Sequence, residues 1–577
     1  PQKVGQMVQA ERLKCSPEDV KKYHIGAILS GSGSCPENNT PSGWLNMIDE
    51  YWLASTESDD LHLDIPILYG VDAIHGNSNI IGATVFPHNI GLGACDNPDL
   101  MHKISQVTAK EVLCSGIDWT FSPNFAIAQN PKWGRTYESY AQTPDIACKY
   151  APNVINGLQD GFSDDGILAC VKHWIADGGT EYGLDQGDAL GNWDTIKSTH
   201  VMPYYKAIDA GVMSIMVSFS SLNGEKCHGN YQLITEKLKG EMQFNGIVLS
   251  DMDGIDYLST DYYHSIALAV NAGIDMFMIA HNWKTFIEHV CNHVKYGCVS
   301  IERINDAVRR ILTVKYLTGC FDAKQPSKRK WSNNKSFGSE SHRKIAQQAV
   351  RESLVLLKQN NDVLPLNKSS RLLVTGKNAD NIGHQSGGFT VDWQGVCGNS
   401  SFPNGTSIFQ GIKQQCSDAT LVCDIQEIKK NINNYDAVVA VIGETPYAEG
   451  MGDIRTCNDI IIESGSQVNG EMNILNPYGN SLELAKLHPE DIQLLQALAR
   501  LQIPIITILV SGRPLICTKE IELSDAFICA WLPGSEGQGV SDVLFGEHNF
   551  CGKLKFDWPN IETTNTPAFP LGFGLTY

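Results

Sequence analysis

The chain alternates short apolar runs with longer amphipathic stretches, and this alternation restricts the fold more than any other feature of the sequence. In the first half, the runs at 25–29, 65–69, 117–121, 167–171, 214–219, 246–250 and 274–279 have the length and composition of buried strands. Helix-length stretches such as 98–115, 144–158, 231–243 and 301–317 separate many of them. Strands that alternate with helices form βαβ units and a parallel sheet. Seven or eight such units in about 320 residues favour a TIM-type (β/α)8-like barrel over a doubly wound sheet.

The amino-acid composition changes after residue 321, and a second series of α/β units follows. Residues 322–337 read DAKQPSKRKWSNNKSF, a polar segment that is typical of a linker. Apolar runs then recur at 371–375, 436–442, 504–510 and 525–531, with a helical stretch at 488–501. We therefore expect a barrel over 1–321, a linker over 322–337, and an α/β sandwich around a mostly parallel sheet over 338–577.

Charge and composition exclude several classes of function. The formal net charge is −20, which disfavours a nucleic-acid partner because such a partner requires clustered Lys and Arg. The sequence has no run of about 18 apolar residues, so it predicts no membrane-spanning helix. These properties fit an enzyme with a neutral substrate and leave the oligomeric state open.

The 17 cysteines are an odd number, so at least one thiol is unpaired within the chain. The close pairs Cys291/Cys298 and Cys416/Cys423 are candidates for small-loop disulfides. Neither pair has the repeated C-x-x-C spacing of a zinc site, and we predict no metal. N-x-S/T sequons begin at Asn38, Asn334, Asn367, Asn399 and Asn404. Together these features favour a secreted or extracytoplasmic location.

Charged side chains follow several of the predicted barrel strands. Asp72 comes shortly after 65–69, Lys172 and His173 come directly after 167–171, and Asp251 follows 246–250. Arg135 lies in the segment NPKWGRTYES after the third run. Because the carboxyl ends of barrel strands share one face, these residues are predicted to form one site.

The residue types in this predicted site suit sugar chemistry. The chain has no G-x-S-x-G elbow, phosphate-binding loop or dinucleotide fingerprint. Acids flanked by Lys, His and Arg match the recognition of sugar hydroxyls, with one carboxylate as nucleophile and no cofactor. A second carboxyl group must then protonate the leaving oxygen, and the loop VIGETPYAEGMGD (441–453) offers Glu444 and Glu449.

The sequence resembles the two-domain family 3 glycoside hydrolases, in particular β-D-glucan glucohydrolases and β-glucosidases. The resemblance covers nearly the whole chain and rests on these stretches: YGVDAIHGNSNIIGATVFPHNIGLGA (69–94), PKWGRTYESY (131–140), KHWIADGGT (172–180), VLSDMDGID (248–256), GETPYAEGMGD (443–453) and FPLGFGLTY (569–577). It implies a retaining, exo-acting enzyme that degrades β-glucosides or β-glucan oligosaccharides and releases terminal β-D-glucose through a covalent glucosyl-enzyme.

By the same resemblance, Asp251 is the nucleophile and Glu449 is the catalytic acid/base, while Glu444 orients the loop. The acid/base should have a raised pKa and the nucleophile a low one. Asp253 and Asp256 are expected to cap the following helix or to fix the loop.

The resemblance also assigns sugar-binding residues. It implies that Asp72, Arg135, Lys172 and His173 bind the sugar in the −1 subsite. It further implies that the positive charges of Lys172 and His173 keep the nucleophile ionised.

Four more side chains are expected to line the substrate path. Trp393, in GGFTVDWQG, matches a Trp that flanks the +1 subsite of glucan enzymes, and Met216 and Phe219 match subsite-lining positions. Met252 stands where those enzymes often carry a second Trp that clamps the sugar. This departure puts the clamp and its tolerance of several linkages in question.

Three alternatives remain open. A β-xylosidase or an N-acetylhexosaminidase would share the fold, but the motif KHWIADGGT and an acid in the second domain favour a glucosidase. A catalytically inactive carbohydrate-binding protein is disfavoured because both carboxyl groups are present. The preferred linkage and chain length do not follow from the sequence.

Overall fold

The computed structural model describes residues 1–57, 63–455, 461–462, 474–561 and 566–577, and for 461–462 and 474–475 it describes the backbone alone. The first half is a barrel of eight parallel strands, as predicted. In chain order these strands are β1 Val8–Glu11, β2 Ala27–Ser30, β3 Leu68–Val71, β4 Trp119–Thr120, β5 Leu168–Trp174, β6 Ser214–Val217, β7 Ile247–Leu249 and β8 Phe277–Ile279.

Strand β1 is the barrel strand that the sequence analysis missed. It pairs with β2 on one side and with β8 on the other, for example Gln9 with Ala27 and Val8 with Phe277. Its sequence, VQAE, is short and half polar, yet Gln9 is fully buried. A bridge between Leu249 and Met276 joins β7 to the start of β8 and closes the barrel.

Helices surround the barrel and return the chain from the end of one strand to the start of the next. Pro98–Cys114 begins at Asn97, whose side chain accepts from the Leu100 N–H and so satisfies one free amide of the first turn. The α-helices of this half are Gln2–Gln6, Pro17–Tyr23, Pro41–Thr56, Asn89–Cys95, Pro98–Cys114, Pro144–Gln159, Trp193–Ile196, Met202–Asp209, Tyr262–Ala272, Trp283–Lys295 and Ile301–Leu317, with π-helical turns at Lys197–Val201 and Gln232–Glu241.

The second half contains a six-stranded sheet between helices, in the order β9-β14-β13-β12-β10-β11. Its strands are β9 Val355–Gln359, β10 Leu372–Thr375, β11 Thr420–Leu421, β12 Ala437–Gly443, β13 Ile505–Val510 and β14 Ala526–Trp531. All neighbours are parallel except β9 and β14. The sequence analysis predicted the four central strands and missed β9 and β11 at the two edges.

The helices of the second half lie on either side of this sheet and bury its apolar faces. They are Glu340–Ser353, Ile382–Ser386, Ile408–Gln415, Ile425–Asn431, Leu484–Leu487, Pro489–Ala499, Thr518–Glu522 and Gln538–Leu544. The barrel and the sheet each have a large hydrophobic core of their own. We keep 322–337 as the proposed linker; its first part holds the short 3-10 turn Pro326–Lys328.

Two further sequence-based expectations concern cysteines and membranes. The described cysteines are free thiols, and they include Cys291, Cys298, Cys416 and Cys423, so the two small-loop disulfides are not formed. Within the described ranges, no helix is long and apolar enough to span a membrane.

Candidate active site

Asp251 lies two residues beyond β7, and the main chain around it is fixed by hydrogen bonds. Its backbone N–H donates to Nε2 of His228 at 3.0 Å, and its Oδ1 accepts from the Met252 N–H at 2.7 Å. The Gly254 N–H closes the turn on the Asp251 carbonyl at 3.1 Å. The side chain is 15 % exposed, so the carboxylate is mostly but not completely buried.

Lys172 and His173, at the end of β5, face this carboxylate. Nζ of Lys172 donates to Oδ1 of Asp72 at 2.8 Å, while Nε2 of His173 lies 3.7 Å from Oδ2 of Asp251. Burial lowers the pKa of Lys172, but Asp72 and Glu138 raise it by more, so the net shift is upward and the ammonium keeps its charge.

His173 does not carry the positive charge that we expected. Burial, together with the cations Arg135 and Lys172, holds its pKa well below the ordinary value, so the ring is neutral. Its Nδ1 lies 2.7 Å from Oδ2 of Asp177, which places the proton on Nδ1. Nε2 is then an acceptor, and it faces Nη2 of Arg135 at 3.4 Å.

Arg135 joins the residues of the two domains. Its Nε and Nη2 donate to the two oxygens of Glu138 at 2.7 and 3.0 Å. Its Nη1 lies 3.3 Å from Oε1 of Glu449. Because the fork is buried and bound to Glu138 on one side, the direction in which it meets Glu449 is fixed.

Glu449 reaches the barrel from the loop after β12. It has a positive φ of 53°, a conformation that bulky side chains rarely adopt. Its carbonyl oxygen lies 2.0 Å from where a Cβ would stand on Gly134, so only glycine allows this approach. The loop therefore packs directly on the barrel segment that carries Arg135.

Glu444, the other loop acid, belongs to the interior of the second domain. Its oxygens accept from Arg513 Nε at 3.0 Å, the Gly512 N–H at 2.8 Å, and the hydroxyls of Tyr447 and Ser511 at 2.9 and 3.1 Å. A carboxylate with this many donors is held in place, and Glu444 is only 2 % exposed. Its position fits the expected role in orienting the loop.

The pKa values of the two candidate catalytic acids are ordered as expected, but both are raised. Burial raises the pKa of Asp251 to about 6, although Arg135 and Lys172 oppose the shift. Burial raises the pKa of Glu449 to about 8; Arg135 lowers it, while Asp185 and Asp251 raise it further. The expected low pKa of Asp251 is therefore wrong, because burial outweighs its cationic neighbours.

A loop of the second domain, residues 387–395, lies against the same cations. The ring of Phe389 is 5.8 Å from both the Arg135 Cζ and the Lys172 Nζ. Its carbonyl oxygen meets Nε2 of His75 at 2.8 Å, and its N–H donates to the carbonyl of Trp393 at 2.9 Å. Trp393 is half-buried and packs on the core of the second domain.

The remaining predicted subsite residues differ in their exposure. Met216 lies in β6 opposite Leu249 and is 2 % exposed, within the barrel core. Phe219 is mostly buried and meets the His228 ring edge-on, with ring centroids 5.7 Å apart. Met252 is half-buried beside the nucleophile candidate and packs on the barrel core.

Asp253 fixes the nucleophile loop, but it does not cap a helix. Its Oδ1 accepts from the Ala280 N–H at 2.9 Å, and its own N–H donates to the Met278 carbonyl at 3.0 Å. It lies at the N-cap position of the short turn Gly254–Tyr257 without a capping hydrogen bond. Burial and then Asp253 raise the pKa of Asp256 to about 8.

Four residues of the site escaped the sequence analysis: Asp177, Asp185, His228 and Phe389. Asp177 and Asp185 follow β5 in a loop of glycines and acids. The segment KHWIADGG, in which Asp177 stands four residues after His173, was the signal available for Asp177. His228 and Phe389 come from loops far from their partners along the chain. They reach the candidate site only because the barrel closes and the second domain docks on it.

Comparison with known proteins agrees with the architecture. Residues 1–314 match the glycosyl hydrolase family 3 N terminal domain, and residues 354–577 match the C-terminal domain of the same family. Among solved structures, an exo-1,3/1,4-beta-glucanase from a Pseudoalteromonas species superposes with a TM-score of 0.90 at 39% identity. The match covers 100% of this chain and 72% of that one.

Curated relatives include enzymes named for two sugars. A lysosomal beta glucosidase of Dictyostelium discoideum is 30% identical over 100% of this chain and 74% of its own length. A beta-xylosidase of Formosa agariphila is 26% identical over 89% of this chain and 75% of its own length. Since both family domains and relatives of this extent match, the chain belongs to glycosyl hydrolase family 3.

Proposed function

We propose that the chain is a retaining, exo-acting β-glucosidase that releases terminal β-D-glucose from β-glucosides or β-gluco-oligosaccharides. One observation carries the proposal: Arg135 lies 3.3 Å from the second-domain carboxyl group of Glu449 and 3.4 Å from His173, which contacts the barrel carboxyl group of Asp251. The pKa of Asp251 is about 6 and that of Glu449 about 8. Between these two pKa values Asp251 is ionised and Glu449 is protonated. This is the pair of forms that a retaining glycosidase requires.

In the first step, Asp251 attacks C1 of the terminal glucose while Glu449 protonates the departing glycosidic oxygen. Oδ1 of Asp251 is already bound to the Met252 N–H, so Oδ2 is the attacking oxygen. The C1–O bond to the leaving group breaks and a glucosyl ester forms on Asp251.

In the second step, Glu449 is ionised and accepts a proton from water, whose oxygen attacks C1. The ester bond breaks, Asp251 leaves as carboxylate, and the anomeric configuration is retained. A retaining pair is expected to have its carboxyl groups about 5–5.5 Å apart.

The sugar hydroxyls are assigned to the charged residues around the carboxylates. Asp72 and Lys172, which bind each other, offer an acceptor and a donor side by side. Neutral His173 presents an unprotonated Nε2, which can accept a hydrogen bond from a sugar hydroxyl. A wall of fixed polar groups beside the Phe389 ring is typical of a pocket that orients a small neutral ligand.

The named activities of the similar proteins support this substrate class, since they include a beta glucosidase and an exo-1,3/1,4-beta-glucanase. A beta-xylosidase is also similar, so xylosides belong in the test. The relative named lysosomal and the sequons support the proposed extracytoplasmic location.

The test is hydrolysis of matched aryl β-glycosides of glucose, xylose and N-acetylglucosamine, with proton NMR of the anomer first released. We expect turnover of the glucoside above the other two and β-glucose as the first product. Turnover of the xyloside alone would transfer the activity to that sugar. No turnover of any glycoside by the wild type would favour a binding protein, and α-glucose as first product would exclude retention. A panel of β-1,2, β-1,3, β-1,4 and β-1,6 glucose disaccharides then gives the linkage.

A further inference from the structure

The loop that carries Glu449 is tied to the barrel by a buried carboxylate four residues further along the chain. Asp453 is fully buried, and its oxygens accept four hydrogen bonds. Oδ1 accepts from the Gly134 N–H at 2.7 Å. Oδ2 accepts from the Asp185 N–H at 2.9 Å and from Nη2 and Nε of Arg455 at 2.7 and 3.1 Å. Two of these donors come from two different loops of the barrel.

The residues on either side of Asp453 are also tied to the barrel. The Ile454 N–H donates to the Lys132 carbonyl at 2.9 Å. Arg513 donates to the Gly452 carbonyl at 2.6 Å and to the Pro131 carbonyl at 3.2 Å. The acid/base loop is therefore laid along the barrel segment that precedes Arg135.

This geometry leaves little freedom to Glu449. Gly134, one of the two barrel donors to Asp453, is also the residue on which the Glu449 carbonyl packs. Asp185, the other donor, has its own carboxylate fixed by the Trp133 Nε1–H at 3.0 Å. Both barrel loops that border Glu449 are thus joined to one side chain.

We propose that Asp453 is a positioning residue that sets the distance between Glu449 and the leaving oxygen. It does so by joining the loops of Gly134 and Asp185 to the acid/base loop, an arrangement that we call the clasp. The proposal rests on the proposed function, because its readout is proton donation to a leaving group. Asp453 does not touch the substrate and acts through Glu449.

A carboxylate is needed because all four contacts are donors. In Asp453→Asn, one acceptor oxygen is replaced by an amide that would face either the Gly134 N–H or the Asp185 N–H and Arg455. The amide N–H groups of the new side chain then face other donors, which breaks hydrogen bonds of the clasp. The volume of the side chain hardly changes.

The clasp also holds the charges that face Glu449. These are Arg135, Asp185, Asp251 and Glu138; Arg135 lowers the pKa of Glu449, and the three acids raise it. If the Asp185 loop moves away, one of the raising charges weakens, and the pKa of Glu449 should fall.

The experiment compares Asp453→Asn with a matched control, Asp542→Asn. Asp542 is also a buried second-domain carboxylate with four side-chain donors, Gln347, Arg351, Gln415 and Gln538, but it lies on the helix Gln538–Leu544. The kcat/KM of each variant is measured with 2,4-dinitrophenyl β-glucoside, whose leaving group needs no proton, and with phenyl β-glucoside, whose leaving group does. Glu449→Gln supplies the reference pattern for a lost acid.

We expect Asp453→Asn to lower kcat/KM for the phenyl glucoside about 100-fold and for the dinitrophenyl glucoside by less than about fivefold, as a lost general acid does. The basic limb of its pH profile should move to lower pH. Asp542→Asn should change both substrates by the same factor.

Equal losses on both substrates, or wild-type values, would overturn the positioning role. If Asp453→Asn does not fold, Arg455→Met removes two of the four donors and leaves both backbone contacts. This variant should also lose more activity on the phenyl glucoside than on the dinitrophenyl glucoside, by a smaller factor. If it shows no such difference, the proposal is also overturned. A wild type inactive on both glucosides would instead contradict the proposed function.

Discussion

Nη1 of Arg135 lies 3.3 Å from Oε1 of Glu449, although the two residues belong to different domains. The same guanidinium is bound to Glu138 and reaches Nε2 of His173, the neighbour of Asp251. One side chain thus contacts both the candidate acid/base and a neighbour of the candidate nucleophile. Its charge lowers the pKa of both carboxyl groups below the values that burial alone would give them.

Removing the nucleophile should abolish turnover. We expect Asp251→Ala to lower kcat at least about 10⁴-fold, because the proposed ester cannot form without the carboxylate of residue 251. The measurement is hydrolysis of an aryl β-glucoside, with folding checked by circular dichroism. Asp256→Asn, in the same loop, is the control and should stay within about threefold of wild type. Equal rates for Asp251→Ala and wild type would remove the assignment.

Removing the acid/base should leave a partial activity that azide restores. In Glu449→Ala a glucoside with an activated leaving group still forms the ester, but water attacks it slowly without a base. Azide needs no base, so it should raise kcat at least about tenfold and give β-glucosyl azide. A variant that azide does not accelerate, or that yields the α-azide, would contradict this role.

The pH dependence of kcat/KM should be bell-shaped. Asp251 must be ionised, so activity falls below its pKa of about 6, and Glu449 must be protonated, so activity falls above its pKa of about 8. Buffers from about pH 4.5 to about pH 9.5 cover both limbs. On an activated substrate, Glu449→Ala should lose the basic limb and keep the acidic one. A basic limb that persists in this variant would have to come from another group.

Asp256 should make the fold less stable as the pH rises. Its folded-state pKa is about 8, above the ordinary value of 3.8, so the folded chain holds an extra proton between these values. The free energy of unfolding therefore falls as the pH rises through this window. Asp256→Asn stays neutral, so its stability relative to wild type should be greater at pH 8 than at pH 5; at about 1.4 kcal/mol per pH unit in this window, the change is on the order of a few kcal/mol. Thermal unfolding at the two pH values measures it, and a difference independent of pH would refute the explanation.

Met252 should limit affinity beyond the first sugar. If Trp393 forms one wall there, Met252→Trp supplies a second aromatic face and should lower KM for glucose disaccharides about two- to tenfold. An aryl glucoside with a small leaving group serves as the internal reference, because its KM should change less. Equal changes in KM for both substrates would show that residue 252 does not contact the second sugar.

The sequence predicted the barrel well because its strands are apolar and end in polar residues. Strand β1 was missed because VQAE lacks an apolar run; Gln9 is buried only because β2 and β8 enclose it. The edge strands β9 and β11 were missed for a similar reason. One is antiparallel and ends in Lys358 and Gln359, and the other has only two residues.

The candidate site divides in the same way. Asp72, Lys172, His173 and Asp251 were predictable because the ends of neighbouring parallel strands must meet. The neutral state of His173 was not, since it depends on burial and on two cations from other loops. The raised pKa of Asp251 has the same origin: the sequence shows the neighbouring charges but not how much water they lose.

Glu449 enters the site only when the second domain docks on the barrel, and this affects the order in which the enzyme matures. During synthesis the barrel leaves the ribosome first, carrying Asp251 and the cations that we propose to bind the sugar. If Asp251 and Glu449 act as proposed, this half then holds the nucleophile without a proton donor for the leaving group. We therefore expect a nascent or truncated chain of this kind to be inactive toward unactivated glucosides, and hydrolysis to begin only when the last half of the polypeptide has folded against the first.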